Sequence, residues 1–366
     1  MIAYLDYNAT APLRPEALDA MTRAVAEPGN ASSVHAAGRR ARRLVEEARE
    51  KVAALAAVDP RWVIFTSGGT EANNLALGGL AAGPRLVSAT EHDSVLQAAP
   101  QAERLAVRPD GQIDLDALEE ALRGQPAGAL VSVMLANNET GVLQPMEAVV
   151  ERAKAAGALV HCDAVQAAGK LPLDMVRLGV DCMTLSSHKL GGPPGVGALL
   201  CRDNLPLTPL LQGGGQERQR RPGTENLPGI AGFGAAAEAA LRDLPQVGSI
   251  AGLRDSLETG AQTIAPEVRV FGAESARLAN TSCLALAGMA AETQIMALDL
   301  AGVAVSAGAA CSSGKVRPSH VLTAMGASAG EAASAIRVSL GWRSSTDDVD
   351  RFLAAWGDLY RRSQAA

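Results

Sequence analysis

The chain has 366 residues, of which 48% are hydrophobic, and a formal net charge of −6. That length supports a large core and suggests two domains. The acidic balance and the lack of a basic stripe argue against a nucleic-acid partner, and no run of 18 apolar residues is present to span a membrane.

The chain starts directly into Tyr4-Leu5-Asp6 with no basic and apolar leader, so no signal peptide is expected. Five cysteines, an odd number with no CxxC pair, point to a reducing, cytoplasmic compartment. The five histidines lack metal-ligand spacing, so no metal site is expected. Pro15-Glu16-Ala17 reads as a helix start. A helix is predicted over 40–58, with Leu44, Val45, Ala48, Val52 and Leu55 on one face and Asp59-Pro60 as its stop. The basic residues Arg39, Arg40, Arg42 and Arg43 read as a solvated face.

Strands and helices then alternate. Strands are predicted at 62–65, 85–88, 130–135, 158–161, 181–185 and 197–200, with helices from about Thr70 and over 146–156. Nearly continuous apolar strands between helices mean a mainly parallel sheet covered on both faces. Ligands of such sheets sit beyond the carboxyl ends of the strands. Polar residues do follow the strands: Ser67-Gly68-Gly69-Thr70, Glu91-His92, Asn137-Asn138-Glu139, Asp163 and Ser186-Ser187-His188-Lys189. A small-residue helix is predicted over 226–241, and composition shifts near Pro245. The short apolar runs beyond it predict a smaller α+β domain. Ser328-x-x-Glu331 is a capping-box pattern, and Thr346-Asp347-Asp348 is expected to cap a last helix with an apolar stripe from Val349 to Tyr360. The division expected is a large domain over 15–250 and a small one built from 1–14 with 251–366.

Five stretches carry chemistry. Lys189 ends a buried strand before a Gly/Pro turn, where lost solvation lowers an amine's pKa and suits it to Schiff-base chemistry. Ser186 and His188 beside it can donate to an anion; a surface lysine in a turn is the plain alternative. Gly69 and Thr70 open a helix whose N-terminus attracts anions, or else form an ordinary strand–helix turn. Asp163 at a strand end calls for a cationic or hydrogen-bonding partner, with Gln166 three residues on; a helix cap is the alternative. Gly213 to Asn226 is a flexible loop whose Arg221 and Thr224 can complete a phosphate site; an ordinary surface loop is the alternative. Cys311 stands among tiny residues, whereas Cys162, Cys182, Cys201 and Cys283 lie in apolar runs and read as inert.

Taken together these stretches resemble the cysteine desulfurases of the NifS type, in the class V aminotransferase group of fold-type I pyridoxal-phosphate enzymes. The similarity runs from Tyr4-Thr10 through Thr66-Asn74, Asp163-Lys170 and Ser186-Gly197 to Ala307-Met325 and Ile336-Gly341. Two positions depart from it: Ala11, where such chains often have Thr, and Pro194, where a basic residue is usual. The resemblance implies that Lys189 carries pyridoxal 5'-phosphate and moves protons. It implies that His92 stacks on the pyridine ring and acts as a catalytic acid/base, Asp163 pairs with the ring nitrogen, and Gln166 bonds the phenolic oxygen. Gly69, Thr70, Ser186 and His188 would hold the phosphate, with Thr224 from a partner subunit. Asn138 and Arg337 would bind the carboxylate of L-cysteine, and Cys311 would take its sulfur as a persulfide. A homodimer and a protein sulfur acceptor or iron–sulfur scaffold are implied as partners. The alternatives are a class V aminotransferase, a selenocysteine/cysteine lyase, and a non-catalytic assembly scaffold.

Overall fold

A computed structural model describes residues 2–80, 83–126, 128–308 and 318–364. Cys311, with Lys315 and Arg317 near it in sequence, lies outside the described residues. The apolar runs fold as strands in which every residue is buried, at Val63–Thr66, Leu130–Met134, Cys182–Ser186 and Gly197–Cys201. They belong to a seven-stranded sheet. Across it the order is Val63–Thr66, Gly197–Cys201, Cys182–Ser186, Leu159–Asp163, Leu130–Met134, Arg85–Ser88 and Glu103–Leu105. Register places Asp163 between Met134 and Thr184, so a carboxylate ends the central strand.

Gly197–Cys201 differs from its neighbours: it pairs antiparallel on both sides. Its link from Cys182–Ser186 is a single 3-10 turn, Ser187–Lys189, and a Gly/Pro loop. That is too short for the crossover a parallel strand needs. Glu103–Leu105 is an edge strand with two exposed charged residues, so it leaves no apolar trace in the sequence.

Helices Pro15–Ala26, Ala36–Leu55 and Leu227–Asp243 pack together over one face. The small residues of Leu227–Asp243 permit this: a Cβ on Gly234 would stand 2.6 Å from the Ala48 Cα. Arg39, Arg40, Arg42 and Arg43 are all exposed, as a solvated face requires.

A second, antiparallel sheet runs Ser306–Ala307, Ala335–Ser339, Thr281–Ala285, Arg269–Val270. Its core includes Leu257, Leu298, Ile336, Val338, Phe352 and Trp356, together with Ala3 and Leu5 from the N-terminus. Ala3–Tyr4 pairs in parallel with Val303–Ala304, and Asp6 bridges to Ser339. The first residues are thus tied to the last third of the chain. The Ser328–Glu331 capping box forms as its pattern predicts. The last helix, Thr346–Gln364, buries Val349, Phe352 and Trp356. Its N-terminal cap is Ser345, which pairs reciprocally with Asp348, one residue earlier than the sequence pattern indicates. Among the described residues no helix is long and apolar enough to cross a membrane.

Candidate active site

Beyond the carboxyl ends of the parallel strands lies a cavity of about 720 Å³. Lys189, His92, Asp163, Gln166, Gly69, Thr70, Ser186, His188, Asn138 and Arg337 all line it. Residues separated by up to 268 positions in sequence, from Gly69 to Arg337, therefore face one space. Thr224 does not join them; it is exposed, in the loop before Leu227–Asp243.

Lys189 ends the 3-10 turn after Cys182–Ser186. Its amine donates to the main-chain oxygens of Asn8 and Ala9, at 2.6 and 2.9 Å. Burial, and then the Arg337 guanidinium, push its pKa down to about 8, against the pull of Asp6 and Asp163. At pH 7 about one such amine in ten is unprotonated, far more than for an ordinary lysine.

Asp163 is buried and accepts from Asn73 Nδ2 at 2.8 Å and from the Val165 N–H at 2.9 Å. Asn73 also donates to Ser94 Oγ, which contacts His92 Nδ1 at 2.8 Å. The Ser94 main-chain N–H points at the same Nδ1. Nδ1 therefore carries the lone pair, and the proton sits on Nε2. Burial holds the His92 pKa below its ordinary value, so the ring is neutral near pH 7.

A second corner is built from Gly69, Thr70, Ser186 and His188. Gly69 begins helix Gly69–Gly79, so unpaired N–H groups face the cavity. A Cβ there would stand 3.0 Å from Val165 Cγ2 and 3.4 Å from Ser186 Cβ, so any larger residue would press on both. His188 contacts Thr10 Oγ1 through Nδ1 at 3.2 Å, and burial followed by Lys189 pushes its pKa down to about 4. It is a neutral donor, not a cation.

Arg337 lies on Ala335–Ser339, on the opposite wall. It donates to Asp6 Oδ1 at 2.9 Å and to the Asn138 main-chain oxygen at 3.0 Å. Its Nε is buried with no partner. Four of the cysteines are buried free thiols: Cys162, Cys182, Cys201 and Cys283. Burial pushes all four up, Cys201 to about 11, which makes them poor nucleophiles.

Several residues of the site carry no assignment from the sequence. Asn8 is fully buried and bonds Lys189, Gln166, Thr281 and Asn280. Asn73 joins Asp163 to the His92 group, and Asp6 neutralises Arg337. Lys170 donates to Asn8 and Gln166. His320 lines the cavity and contacts the Glu91 main-chain oxygen at 2.9 Å. Glu139, whose pKa burial raises, accepts from Ser319. Two sequence signals pointed this way: Asn73 follows Thr70 by three on helix Gly69–Gly79, and Glu139 belongs to a polar group that follows a buried strand.

The arrangement fits pyridoxal phosphate. An anion-binding helix N-terminus, a buried carboxylate for a pyridinium nitrogen and a low-pKa amine face one cavity. Comparison with known proteins agrees. The family model for aminotransferase class V matches residues 3–352, and the chain belongs to that family. A cysteine desulfurase of Cereibacter sphaeroides is 45% identical over 365 residues, covering 96% of this chain and 93% of its own. The crystal structure of a NifS-like protein from Rickettsia africae superposes with a TM-score of 0.93 at 34% identity, covering 99% of this chain and all of that one. A structure described as SspA in complex with cysteine superposes at 0.78 with 31% identity, covering 92% of this chain and 98% of that one. Within its family the chain thus falls with the cysteine desulfurases of the NifS type, pyridoxal-phosphate enzymes of fold type I.

Proposed function

We propose that this chain converts L-cysteine to L-alanine and carries the sulfur away on Cys311. The observation that supports this best is the convergence of a low-pKa Lys189, a buried Asp163 and a buried Arg337 on one cavity. Pyridoxal phosphate, when bound, supplies the electron sink for the carbanion at the substrate's Cα. Asp163 would hold a proton on the pyridine nitrogen. Gly69, Thr70, Ser186 and His188 would hold the phosphate. Gln166 would donate to the phenolic oxygen, and the neutral His92 ring, with its Nε2–H available, would stack on the pyridine.

Arg337 and Asn138 take the substrate carboxylate. Asp6 keeps the guanidinium in place, so it is already oriented when substrate arrives. Lys189 Nζ removes the Cα proton and returns it. The Cys311 thiolate attacks the substrate sulfur, the Cβ–S bond breaks with its electrons going to Cβ, and Cβ is then protonated. The balance is one L-cysteine and one thiol to one L-alanine and one persulfide, with no external oxidant or reductant.

The reading includes a homodimer, a protein sulfur acceptor serving iron–sulfur cluster assembly or another sulfur-requiring pathway, and a reducing cytoplasmic setting. Four core cysteines that remain free thiols support the last. The two largest apolar clusters support the division into a large part over 15–250 and a small part from 1–14 with 251–366: apart from Leu278, the buried residues of the first lie within 17–240, and those of the second are Ala3, Leu5 and residues from Leu257 to Trp356.

Product analysis combined with mass spectrometry tests the function. Cysteine should yield alanine, and one added sulfur atom should map to the peptide containing Cys311. Cys311→Ala should still bind the cofactor but release no alanine. Pyruvate and ammonia as products, or wild-type alanine formation by Cys311→Ala, would refute the mechanism.

A further inference from the structure

Behind the reaction cavity lies a second one of about 300 Å³, and Lys189 lines both. Lys170 lines the second, and no step described above uses it. The turn after Leu159–Asp163 brings it there. The N–H groups of Lys170 and Leu171 donate to the Ala167 oxygen at 2.9 and 3.0 Å, so the chain turns back on itself over 167–171 and returns the Lys170 side chain to Gln166. Gly169 permits its close approach to the neighbouring layer: with φ +72, a Cβ would meet Ala240 Cβ at 3.0 Å and Leu190 Cβ at 3.3 Å.

The Lys170 amine donates to Gln166 Oε1 and to Asn8 Oδ1, each at 2.9 Å. The other end of the Gln166 amide, Nε2, donates to the Asn8 main-chain oxygen at 3.0 Å. A carbonyl oxygen only accepts, so Nε2 must face it, and Lys170 supplies the donor that Oε1 requires. The amide is held at both ends. An amide nitrogen has two hydrogens, and Gln166 lines the reaction cavity, so the second is left for an acceptor there. Asn8 is shared: the oxygen that receives Gln166 also receives Lys189.

We propose that Lys170 is a positioning residue, which by donating to Gln166 Oε1 and Asn8 Oδ1 fixes the Gln166 amide with its nitrogen toward the cofactor and holds the Asn8 carbonyl against Lys189. The inference rests on the reading above, in which Gln166 donates to the phenolic oxygen. Burial, then Lys189 and Arg337, push the Lys170 amine well below the ordinary lysine range, and an amine without its charge still has two N–H bonds for these two acceptors. The charged groups around it are Lys189 and Arg337, and across the second cavity the Arg14–Asp243 pair, 2.6 Å apart.

The test is a pH titration of the visible absorbance of the bound cofactor, in holoenzyme without substrate. In Lys170→Met the Gln166 amide is free to turn, and the phenolic oxygen loses its donor and becomes more basic. The midpoint should rise by about half a pH unit or more, a threefold change in proton affinity. In a Gln166→Ala background the same substitution should add little, because both act on one contact. An unchanged midpoint in Lys170→Met, or fully additive shifts in the double variant, overturns the inference. Lys170→Gln is the second variant should the first not hold cofactor. Loss of the fold or of cofactor in both assigns Lys170 to stability or retention and overturns the positioning role. Wild-type protein that holds cofactor but makes no alanine sinks the desulfurase reading instead, and leaves this one standing.

Discussion

The unprotonated fraction of one amine governs how the apoenzyme meets its cofactor. Lys189 has a pKa of about 8, because burial and Arg337 disfavour its charge. Only the free amine attacks a carbonyl. The rate of pyridoxal-phosphate uptake by apoenzyme should therefore rise about tenfold per pH unit up to about pH 8, then level off. Stopped-flow absorbance measures it; a rate still climbing at pH 10 would mean an ordinary lysine. Arg337→Met removes a charge that lowers the amine's pKa, so the plateau should move to higher pH. The sequence showed this lysine, and Asp163 and His92, because each follows a buried strand, where polar side chains are costly unless used. It did not show Asp6 or Asn8 as partners of Arg337 and Lys189. Nothing local marks a pair 331 or 181 positions apart; the contact exists only once Ala335–Ser339 and the N-terminal segment meet.

At the scale of elements, the loop from Gly213 to Asn226 is held by an anchor that the sequence concealed. Glu217, Arg218 and Gln219 all have left-handed backbones, with φ of 48°, 56° and 66°. Non-glycine residues resist this conformation, and three in succession need compensation. Glu217 supplies it. Its carboxylate takes both terminal nitrogens of buried Arg49 at 2.8 Å and the Phe65 N–H at 3.0 Å. Glu217→Ala would take the carboxylate from both terminal nitrogens of a buried guanidinium, leaving it Glu46 at Nε and the Val63 oxygen, at a cost of up to about 3–5 kcal/mol. Urea denaturation should show that loss, whereas Arg218→Ala, at an exposed site, should show little. Equal stability of Glu217→Ala and wild type would mean the anchor is not formed. The helices and the buried strands were legible from their apolar periodicity, as were Pro15 and the Ser328 cap from local chemistry. The direction of Gly197–Cys201 was not, because direction depends on the length of a connection and on no residue in the strand.

Across the whole molecule, the phosphate corner raises the question of what completes it. Thr70, Ser186 and a neutral His188 line that corner without a cation among them. Thr224, implied as a further donor, is exposed on the same chain, and Arg221 nearby is spent on Glu71 at 2.8 Å. Leu210 and Leu211 beside this loop are 47% and 54% exposed. A second copy of the chain that covers these leucines and receives Thr224 would account for both features. Thr224→Val should weaken cofactor binding by roughly 1.5–3 kcal/mol, the range for a hydrogen bond to a charged group. Mixing decides which subunit it serves. Thr224→Val chains keep Lys189, and Lys189→Ala chains keep Thr224. If Thr224 acts across the interface, the hybrid dimer has one site with both residues, and that site should hold cofactor and turn over like wild type. If it acts within its own chain, every site in the mixture lacks one of the two, and mixing should restore nothing. A monomer by sedimentation with cofactor fully bound would exclude the shared site altogether.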